Sequence, residues 1–292
     1  MDGLMASDPD AAPATVAFQG DHDAYSELAA FKFFGENASC VPCALFEQVF
    51  DAVISGTTRY GILPVENSST GSIHVNYDLL LQHEVAIVGE VYYRVDHQLI
   101  AHAGAALQDL RVIYSHPQAL EQCRQFIASL PGIRAVPALD TAGSVRMILE
   151  QNLRDAAAIA SRRAAALPGM QILRENIQDI AENYTRFLLI SREPLVPAEA
   201  DKTSIVYAMK NIPGALYKSL SAFALRDIDL CKIESRPWRG RPFEYIFYLD
   251  FRGTPAQQRC RNALRHLEEM TSFLKILGSY PEGEGLNPPL SR

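Results

Sequence analysis

Short apolar segments alternate with polar turns over the first two thirds of the chain. Residues 16–19, 60–65, 112–114 and 156–160 have the length and composition of buried strands. Each runs into a turn rich in hydroxyl, amide or charged side chains, and a helical sequence such as residues 24–27 follows several of these turns. This repetition of strand, turn and helix predicts an α/β fold.

These polar turns form the candidate binding site. In sheets of this kind, ligands bind beyond the carboxyl ends of the strands, where helix N-termini present unpaired N–H groups to anions. The same residues also suit local roles, because Ser115, Thr141 and Ser161 could cap helices. His116 could likewise be a surface histidine before Pro117. The turns alone leave both interpretations open.

A break in the pattern predicts two domains. Residues 193–202 contain two prolines and several charges, as expected of a linker. Beyond them the order of elements is βαββαβ, the ferredoxin-like arrangement. The expected strands are 203–209, 229–235, 243–251 and 273–279, with helices over 214–226 and 255–270. We therefore expect a first domain over 15–192, a second over 203–281, and flexible tails over 1–14 and 282–292.

Composition and charge narrow the class of partner. The 292 residues suit two domains, and no apolar stretch approaches the roughly 18 residues of a membrane span. A net charge of -7 gives no indication of a basic surface for nucleic acid, so we expect small-molecule or protein partners. Residues 1–14 carry acids and lack the basic and apolar regions of a secretory signal. The cytoplasm is the expected compartment, or the plastid stroma if a transit peptide has been removed.

No metal or cofactor is expected. The five scattered cysteines are predicted to be reduced thiols. Cys40 and Cys43 have the CxxC spacing of redox pairs, but no second pair or histidine cluster follows to complete a zinc site. The chain also lacks a glycine-rich dinucleotide or P-loop fingerprint and a recognisable Ser-His-Asp arrangement.

Several motifs occur in one order along both domains. They are Phe18-Gln19-Gly20 with 24–27, 64–68 with 71–73, 115–119, 140–142, 177–179 with Asn183, 185–187, and then 213–218 and 233–237. In this order they resemble the prephenate dehydratases with a C-terminal ACT domain, which include the arogenate dehydratases of plants and algae. The likeness covers residues 15–281.

The resemblance implies a fold and an activity. The first domain would be bilobal, similar to type II periplasmic binding proteins, with the substrate between the lobes and no cofactor. The chain would be a lyase of phenylalanine biosynthesis, converting prephenate to phenylpyruvate, arogenate to phenylalanine, or both. Phenylalanine would regulate it at the ACT domain, and the chain would form a homodimer or homotetramer.

The resemblance also assigns residues to roles. Thr185 would act at the leaving hydroxyl, Arg186 would orient the segment or pair with a carboxylate, and Phe187, the third residue of the motif, would more often be core. The implied substrate-binding residues are Tyr25, Ser26, Glu66, Asn67, Ser68, Ser115, His116, Gln118, Ala119 and Thr141. The implied phenylalanine site comprises Pro213, Gly214, Ala215, Leu216, Glu234, Ser235, Arg236 and Pro237. Because the pKa of a threonine hydroxyl is too high for an ordinary general acid, His116 or Glu66 could supply the proton.

The chain departs from the family pattern in the loop of Asp21, His22 and Asp23, and also at Ser69-Thr70, Val75 and Ile180. Two carboxylates beside an anionic substrate should repel it unless they point away or pair with a cation, such as a substrate amine. These departures leave open whether the substrate is prephenate or arogenate. The sequence also leaves open whether phenylalanine inhibits or activates, and whether the chain forms a dimer or a tetramer. A non-catalytic sensor that binds phenylalanine or prephenate is the alternative function.

Overall fold

The computed structural model describes residues 13–210 and 212–283, which form two compact units. The strands are β1 (Thr15–Gln19), β2 (Ser39–Cys43), β3 (Tyr60–Asn67), β4 (Gly71–Ser72), β5 (Ala86–Arg94), β6 (Gln98–His102), β7 (Val112–Ser115), β8 (Arg134–Pro137), β9 (Ala156–Ala160), β10 (Met170–Arg174), β11 (Tyr184–Ser191), β12 (Lys202–Met209), β13 (Leu230–Pro237), β14 (Tyr245–Arg252) and β15 (Thr271–Tyr280). The α-helices are α1 (Tyr25–Phe34), α2 (Phe46–Ile54), α3 (His74–Gln82), α4 (Pro117–Gln122), α5 (Arg124–Ala128), α6 (Thr141–Glu150), α7 (Ala215–Ala224) and α8 (Gln258–Met270).

The larger unit, residues 13–79 and 91–188, contains two lobes, each built on one sheet. The first sheet has the order β2-β1-β3-β11-β5, with the short β4 paired to β3. The second has the order β10-β6-β9-β7-β8. Both sheets contain parallel strands, β1 with β2 and β3 in the first and β7 with β8 and β9 in the second. The predicted α/β class and bilobal domain are confirmed.

Four parallel strands of these sheets run directly into helices. β1 leads to α1, β2 to α2, β7 to α4 and β8 to α6. Central strands are apolar because both faces are covered, and every residue of β9 is buried. This alternation is the pattern that the sequence predicts, and it places four helix N-termini at carboxyl ends of strands.

The smaller unit comprises residues 80–90 and 189–283. Its antiparallel sheet has the order β13-β14-β12-β15, and its core contains residues of α7 and α8, such as Phe223 and Leu267, with strand residues such as Tyr207 and Phe251. The βαββαβ order predicted for residues 203–281 is therefore present. Two predicted starts are wrong: β14 begins at Tyr245 because Phe243 has a φ of 62°, outside the extended region, and α8 begins at Gln258 after a turn.

Residues 80–90 belong to the smaller unit through close contacts. Lys202 Nζ lies 2.9 Å from a carboxylate oxygen of Glu90, and both side chains are almost completely buried. A Cβ on Gly278 would lie 2.0 Å from the carbonyl oxygen of Ile87, so β15 requires glycine there. The sequence offers no local sign that this stretch lies apart from the rest of residues 15–192.

Candidate active site

The larger unit contains a cleft of about 430 Å³, a volume typical of small-molecule sites. The starts of four helices line it. The lining residues from these starts are Ala24, Tyr25 and Ser26 at α1, Leu45, Phe46 and Glu47 at α2, His116, Gln118 and Ala119 at α4, and Asp140 and Thr141 at α6. β3 contributes Pro64 and Asn67, and β11 contributes Thr185 and Phe187. The cleft thus lies where the strand–helix pattern predicts a ligand.

The structure brings most of the predicted site residues together in this cleft. The predicted residues that line it are Tyr25, Ser26, Asn67, His116, Gln118, Ala119, Thr141, Thr185 and Phe187. Four others, Glu66, Ser68, Ser115 and Arg186, are not among the lining residues. Side chains alternate along a strand, so Arg186 points to the opposite face of β11 from its two neighbours. It is a buried residue away from the cleft.

Ser68 and Ser115 have structural partners instead. The Ser115 hydroxyl is buried and donates to the carbonyl oxygen of Ile159 at 2.6 Å, which joins β7 to β9. The Ser68 hydroxyl accepts from the backbone N–H of Tyr184 at 2.9 Å and donates to the carbonyl of Glu182 at 3.3 Å. Both serines therefore hold the backbone that carries site residues.

Asn67 is the centre of a buried hydrogen-bond network. Its Nδ2 donates to the hydroxyl oxygen of Thr185 at 2.9 Å and to Oδ1 of Asn183 at 2.7 Å. Its Oδ1 accepts from the backbone N–H groups of Ser69 at 3.0 Å and Thr70 at 3.1 Å. Because these backbone groups only donate, they fix which end of the amide faces Thr185. The Thr185 oxygen is thus an acceptor here, and its own hydrogen is available to a group in the cleft.

Sequence reasoning missed two residues that support this network. Gln122 donates from Nε2 to Asn67 Oδ1 at 3.0 Å, and its Oε1 lies 2.7 Å from Nε2 of His97. Gln122 could have been found from its spacing, since it follows Gln118 by four residues and so shares a helix face with it. His97 lies in the segment between β5 and β6, and no local pattern marks it.

Burial controls the protonation of His97 and Tyr25. Desolvation lowers the pKa of His97 to about 4, against the opposing effects of its hydrogen bond to Gln122 and of the Asp96 carboxylate. The imidazole is therefore neutral at physiological pH. The Tyr25 hydroxyl donates to the carbonyl oxygen of Asp96 at 2.8 Å and lies 3.1 Å from Nδ1 of His97. Burial raises the pKa of Tyr25 well above its usual value, so the phenol stays protonated.

The electrostatics of the cleft rest on backbone rather than on basic side chains. Among the described residues that line it there is no lysine or arginine, while Glu47 and Asp140 contribute carboxyl groups. Ala24 and Leu45, which precede α1 and α2, have no side-chain acceptor, so first-turn N–H groups of both helices are open to a ligand. Anions would bind at these positive helix ends.

The helices at the other side of the cleft are capped by titratable side chains. His116 Nδ1 accepts from the backbone N–H of Gln118 at 3.2 Å, and an Asp140 carboxylate oxygen accepts from that of Gly143 at 2.6 Å. Desolvation lowers the pKa of His116, and the Asp140 carboxylate acts in the opposite direction. Desolvation raises the pKa of Asp140, which the hydrogen bond from Gly143 partly offsets.

The acids of the atypical first loop pair with arginines of the second lobe. An Asp21 carboxylate oxygen lies 2.9 Å from Nε of Arg146, and the Asp23 oxygens lie 3.4 Å from Arg146 and 3.3 Å from Arg163. The Ser161 hydroxyl also donates to the carbonyl oxygen of Asp23 at 2.8 Å. Protein cations therefore neutralise both carboxylates, and these ion pairs join the two lobes. We call this set, Asp21 and Asp23 with Arg146 and Arg163, the interlobe ion-pair cluster.

Cys40 and Cys43 are not placed to form a redox pair. Both lie in β2, where residues three apart are separated by roughly 10 Å, beyond the roughly 7 Å that a disulfide spans between Cα atoms. Burial raises the pKa of Cys40 to about 12 and also raises that of Cys43, which disfavours the reactive thiolate. All five cysteines are free.

The described residues hold no group of three or more His, Cys, Asp or Glu side chains positioned to bind a metal ion. In the same part of the chain, no helix has the length and apolar character needed to cross a membrane.

Comparisons with known proteins relate this cleft to one family. The prephenate dehydratase family model matches residues 16–195. Arogenate dehydratase/prephenate dehydratase 2, chloroplastic, of Arabidopsis thaliana is 48% identical over 277 residues, covering 91% of this chain and 72% of that protein. The crystal structure of prephenate dehydratase in complex with L-Phe from Arthrobacter aurescens matches with a TM-score of 0.84 and 33% identity, over 92% of this chain and 90% of that one.

A further solved structure, GqqA, described as a novel type of quorum quenching acylases, matches with a TM-score of 0.81 and 35% identity, over 95% of this chain and all of that one. Sequence and structure thus lead to one conclusion: the chain belongs to the prephenate dehydratase family.

Proposed function

We propose that this chain is a decarboxylating dehydratase that acts on arogenate, prephenate or both. In this reaction the ring C–O bond breaks and the oxygen leaves as water, while the bond to the ring carboxylate breaks and CO2 leaves. The electron pair from that C–C bond enters the ring, which becomes aromatic, and one proton is consumed. The observation that carries the proposal is the Thr185 hydroxyl, held by Asn67 in a cleft lined by four helix starts.

Thr185 acts as a hydrogen-bond donor to the leaving oxygen. Since its oxygen already accepts from Asn67, the hydroxyl hydrogen is directed away from that amide and toward the substrate. A donor aimed at the developing negative charge stabilises the transition state, and aromatisation supplies driving force. The proton itself comes from a titratable group or from water. Of the two sources considered from the sequence, His116 lines the cleft and Glu66 does not.

The rest of the cleft binds and orients the substrate. Its carboxylates bind at the first turns of α1 and α2, near Tyr25, Ser26 and Phe46, and Gln118 and Thr141 contribute from the second lobe. Apolar lining residues contact the ring; these are Phe46, Ile73, Val75, Leu139 and Phe187. Such positioning supplies a large part of the rate enhancement when no cofactor takes part.

Assays with the two substrates test the proposal. Purified protein is incubated separately with prephenate and arogenate, and the formation of phenylpyruvate and phenylalanine is followed. We expect Thr185→Ala to lose most of the activity and Thr185→Ser, which keeps the hydroxyl, to retain part of it. Thr58→Ala is the matched control, since Thr58 is a buried threonine outside the cleft. If the wild-type protein converts neither substrate, or if Thr185→Ala is as active as wild type, the proposal is wrong.

We propose that the ferredoxin-like unit is an ACT domain that binds phenylalanine. The complex of the Arthrobacter aurescens relative with L-Phe supports this proposal. Gly214 has a φ of 73° and precedes α7 without a side-chain cap, so first-turn N–H groups are open to a carboxylate there. The residues assigned to this site are Pro213, Gly214, Ala215, Leu216, Glu234, Ser235, Arg236 and Pro237.

Two properties of the assembly belong to the same proposal. Glu234 or nearby carbonyl groups would accept from the amine of phenylalanine, with the second segment supplied by a neighbouring chain of a homodimer or homotetramer. Titration calorimetry with phenylalanine and sedimentation of the free and bound protein test both points. The chloroplastic name of the Arabidopsis thaliana relative supports the plastid stroma as the compartment.

The acylase activity in the description of GqqA is not proposed for this chain. Among the described residues that line the cleft, no serine or cysteine is hydrogen-bonded to a histidine, as an acyl-transfer nucleophile requires.

A further inference from the structure

We propose that His97 is a positioning residue for the reaction: it fixes the amide of Gln122, and through Asn67 it fixes the direction of the Thr185 hydroxyl. This inference rests on the proposed function. His97 is not among the residues that the family motifs single out, and its side chain is 2% exposed. Its two ring nitrogens connect the α1 side of the cleft, through Tyr25, to the α4 side, through Gln122.

The orientation of the Asn67 amide determines the orientation of the Gln122 amide. Asn67 Oδ1 faces backbone N–H groups, so its Nδ2 must face Thr185. Gln122 contacts that same Oδ1, so the Gln122 atom there must be its Nε2, which also lies 3.1 Å from the hydroxyl oxygen of Ser69. The Oε1 of Gln122 therefore faces His97.

This arrangement sets the tautomer of His97. A carbonyl oxygen at 2.7 Å from Nε2 requires a hydrogen on that nitrogen, so the neutral ring carries its proton on Nε2. Nδ1 is then an acceptor 3.1 Å from the Tyr25 hydroxyl, whose single hydrogen is shared between Nδ1 and the nearer carbonyl oxygen of Asp96. The two rings also pack edge to face with centroids 5.5 Å apart, which holds the imidazole in place.

Loss of the Nε2 hydrogen would allow the Gln122 amide to rotate. Its oxygen would then face the oxygen of Asn67, and the two acceptors would repel each other. Asn67 would move from its place beside Thr185, and the hydroxyl would lose its orientation. His97 does not act as a proton relay, because two amides separate it from Thr185 and an amide does not readily pass a proton along.

Two isosteric variants separate this role from a general structural one. In His97→Gln an amide nitrogen can occupy the position of Nε2 and donate to Gln122. In His97→Asn the shorter amide reaches only the position of Nδ1. We expect His97→Asn to lower kcat by up to about 100-fold with a much smaller change in KM, since misplacement of a reacting group affects the chemical step. We expect His97→Gln to restore most of the kcat.

His102→Asn is the matched control. His102 is a second buried histidine of the larger unit. Its Nε2 donates a hydrogen bond to the carbonyl oxygen of Ile148 at 3.1 Å, and it does not line the cleft. This variant should lose stability while keeping the kcat of wild type. Equal values of kcat for the asparagine and glutamine variants of His97 would overturn the proposal.

A second readout does not depend on turnover. The side-chain amide resonances of Asn67 and Gln122, assigned by nuclear magnetic resonance, should shift in His97→Asn and stay near their wild-type positions in His97→Gln. Unchanged resonances in His97→Asn would contradict the positioning role. If the wild-type protein converts neither substrate, the proposed function fails, but this measurement still tests the contacts of His97.

Discussion

At the scale of residues, the geometry of the cleft depends on the buried side-chain amides of Asn67 and Gln122. The hydrogen-bond partners of each amide fix the positions of its oxygen and its nitrogen. Asn67 is 2% exposed, and its contacts join β3, the following turn, α4 and β11. Both polar ends of the Asn67 amide have partners, and buried hydrogen bonds of this kind favour one arrangement of the side chains. Several side chains together therefore set the direction of the Thr185 hydroxyl. A substitution that changes a single donor atom of this network to an acceptor should change that direction.

Asn67→Asp changes the group beside Thr185 from a donor to an acceptor. The hydroxyl hydrogen would then point to the carboxylate and away from the substrate, so we expect activity near that of Thr185→Ala although the threonine is intact. A buried charge facing Asn183 Oδ1 should also lower the free energy of unfolding by about 3 kcal/mol. Urea denaturation and the turnover assay measure the two effects. Asn152→Asp, at an exposed site, should show neither.

His97 gives the folded state a defined dependence on pH. Its pKa is about 4 when folded and near 6.5 when unfolded, so between these values the unfolded chain binds more protons. The stability of the native protein should therefore fall as pH decreases from about 6.5 to about 4, by up to about 3 kcal/mol from this residue. Asp96, Tyr25 and Gln122 are the titratable or polar residues that face the imidazole ring, and none of them is changed in a variant of His97 alone.

Denaturation of wild type and His97→Gln across this range isolates the contribution of His97. The variant lacks the titrating group, so the difference between the two curves should shrink or change sign as the pH falls. A constant difference from pH 4 to pH 7 would show that His97 is not buried in its neutral form.

At the scale of elements, four strand–helix junctions make the cleft, and the sequence predicted three of them; the junction of β2 with α2 was not predicted. Strand, turn and helix each leave a local pattern, so the starts of α1, α4 and α6 were identified with their residues. The pairing of β11 between β3 and β5 was not predictable, because it joins segments that lie far apart in the sequence. Arg186 was assigned to the site by its motif, although the alternation of side chains along β11 turns it to the opposite face of the strand from Thr185 and Phe187.

Gly214 tests the proposed effector site at the start of α7. In Gly214→Ala a residue with a Cβ must adopt a backbone φ of 73°, which should lower the free energy of unfolding by roughly 1 kcal/mol. If phenylalanine binds at this turn, its affinity should also fall. Gly240→Ala is the matched control, because Gly240 has a φ of 80° and likewise has open space for a Cβ. Calorimetry should find weaker phenylalanine binding in Gly214→Ala only.

At the scale of the whole molecule, charge affects substrate choice. The chain has a net charge of -7, and the described cleft residues include carboxyl groups and no lysine or arginine. Prephenate has two carboxylates, whereas arogenate also has an ammonium group that reduces its net negative charge. Arg146 opposes the repulsion by pairing with Asp21 and Asp23. The sequence showed these acids but could not show their partners, which lie more than a hundred residues away.

Removal of Arg146 should therefore discriminate between the substrates. We expect Arg146→Met to raise the KM for prephenate more than the KM for arogenate, because the freed carboxylates repel the more negative substrate more strongly. The difference should diminish at high salt, which screens these charges. Arg124→Met makes the same change in net charge at a side chain that is 78% exposed, and should leave both KM values unchanged.

The helix starts at the cleft have a consequence for evolution. Their N–H groups belong to the backbone, so no single side-chain exchange, proline apart, can remove one. Anion binding should therefore persist through extensive sequence divergence, while the exposed lining residues at the rim, such as Leu45, Val75 and Leu139, can change without the loss of these N–H groups. A lineage could pass from one substrate to the other through such rim changes without an intermediate that binds neither.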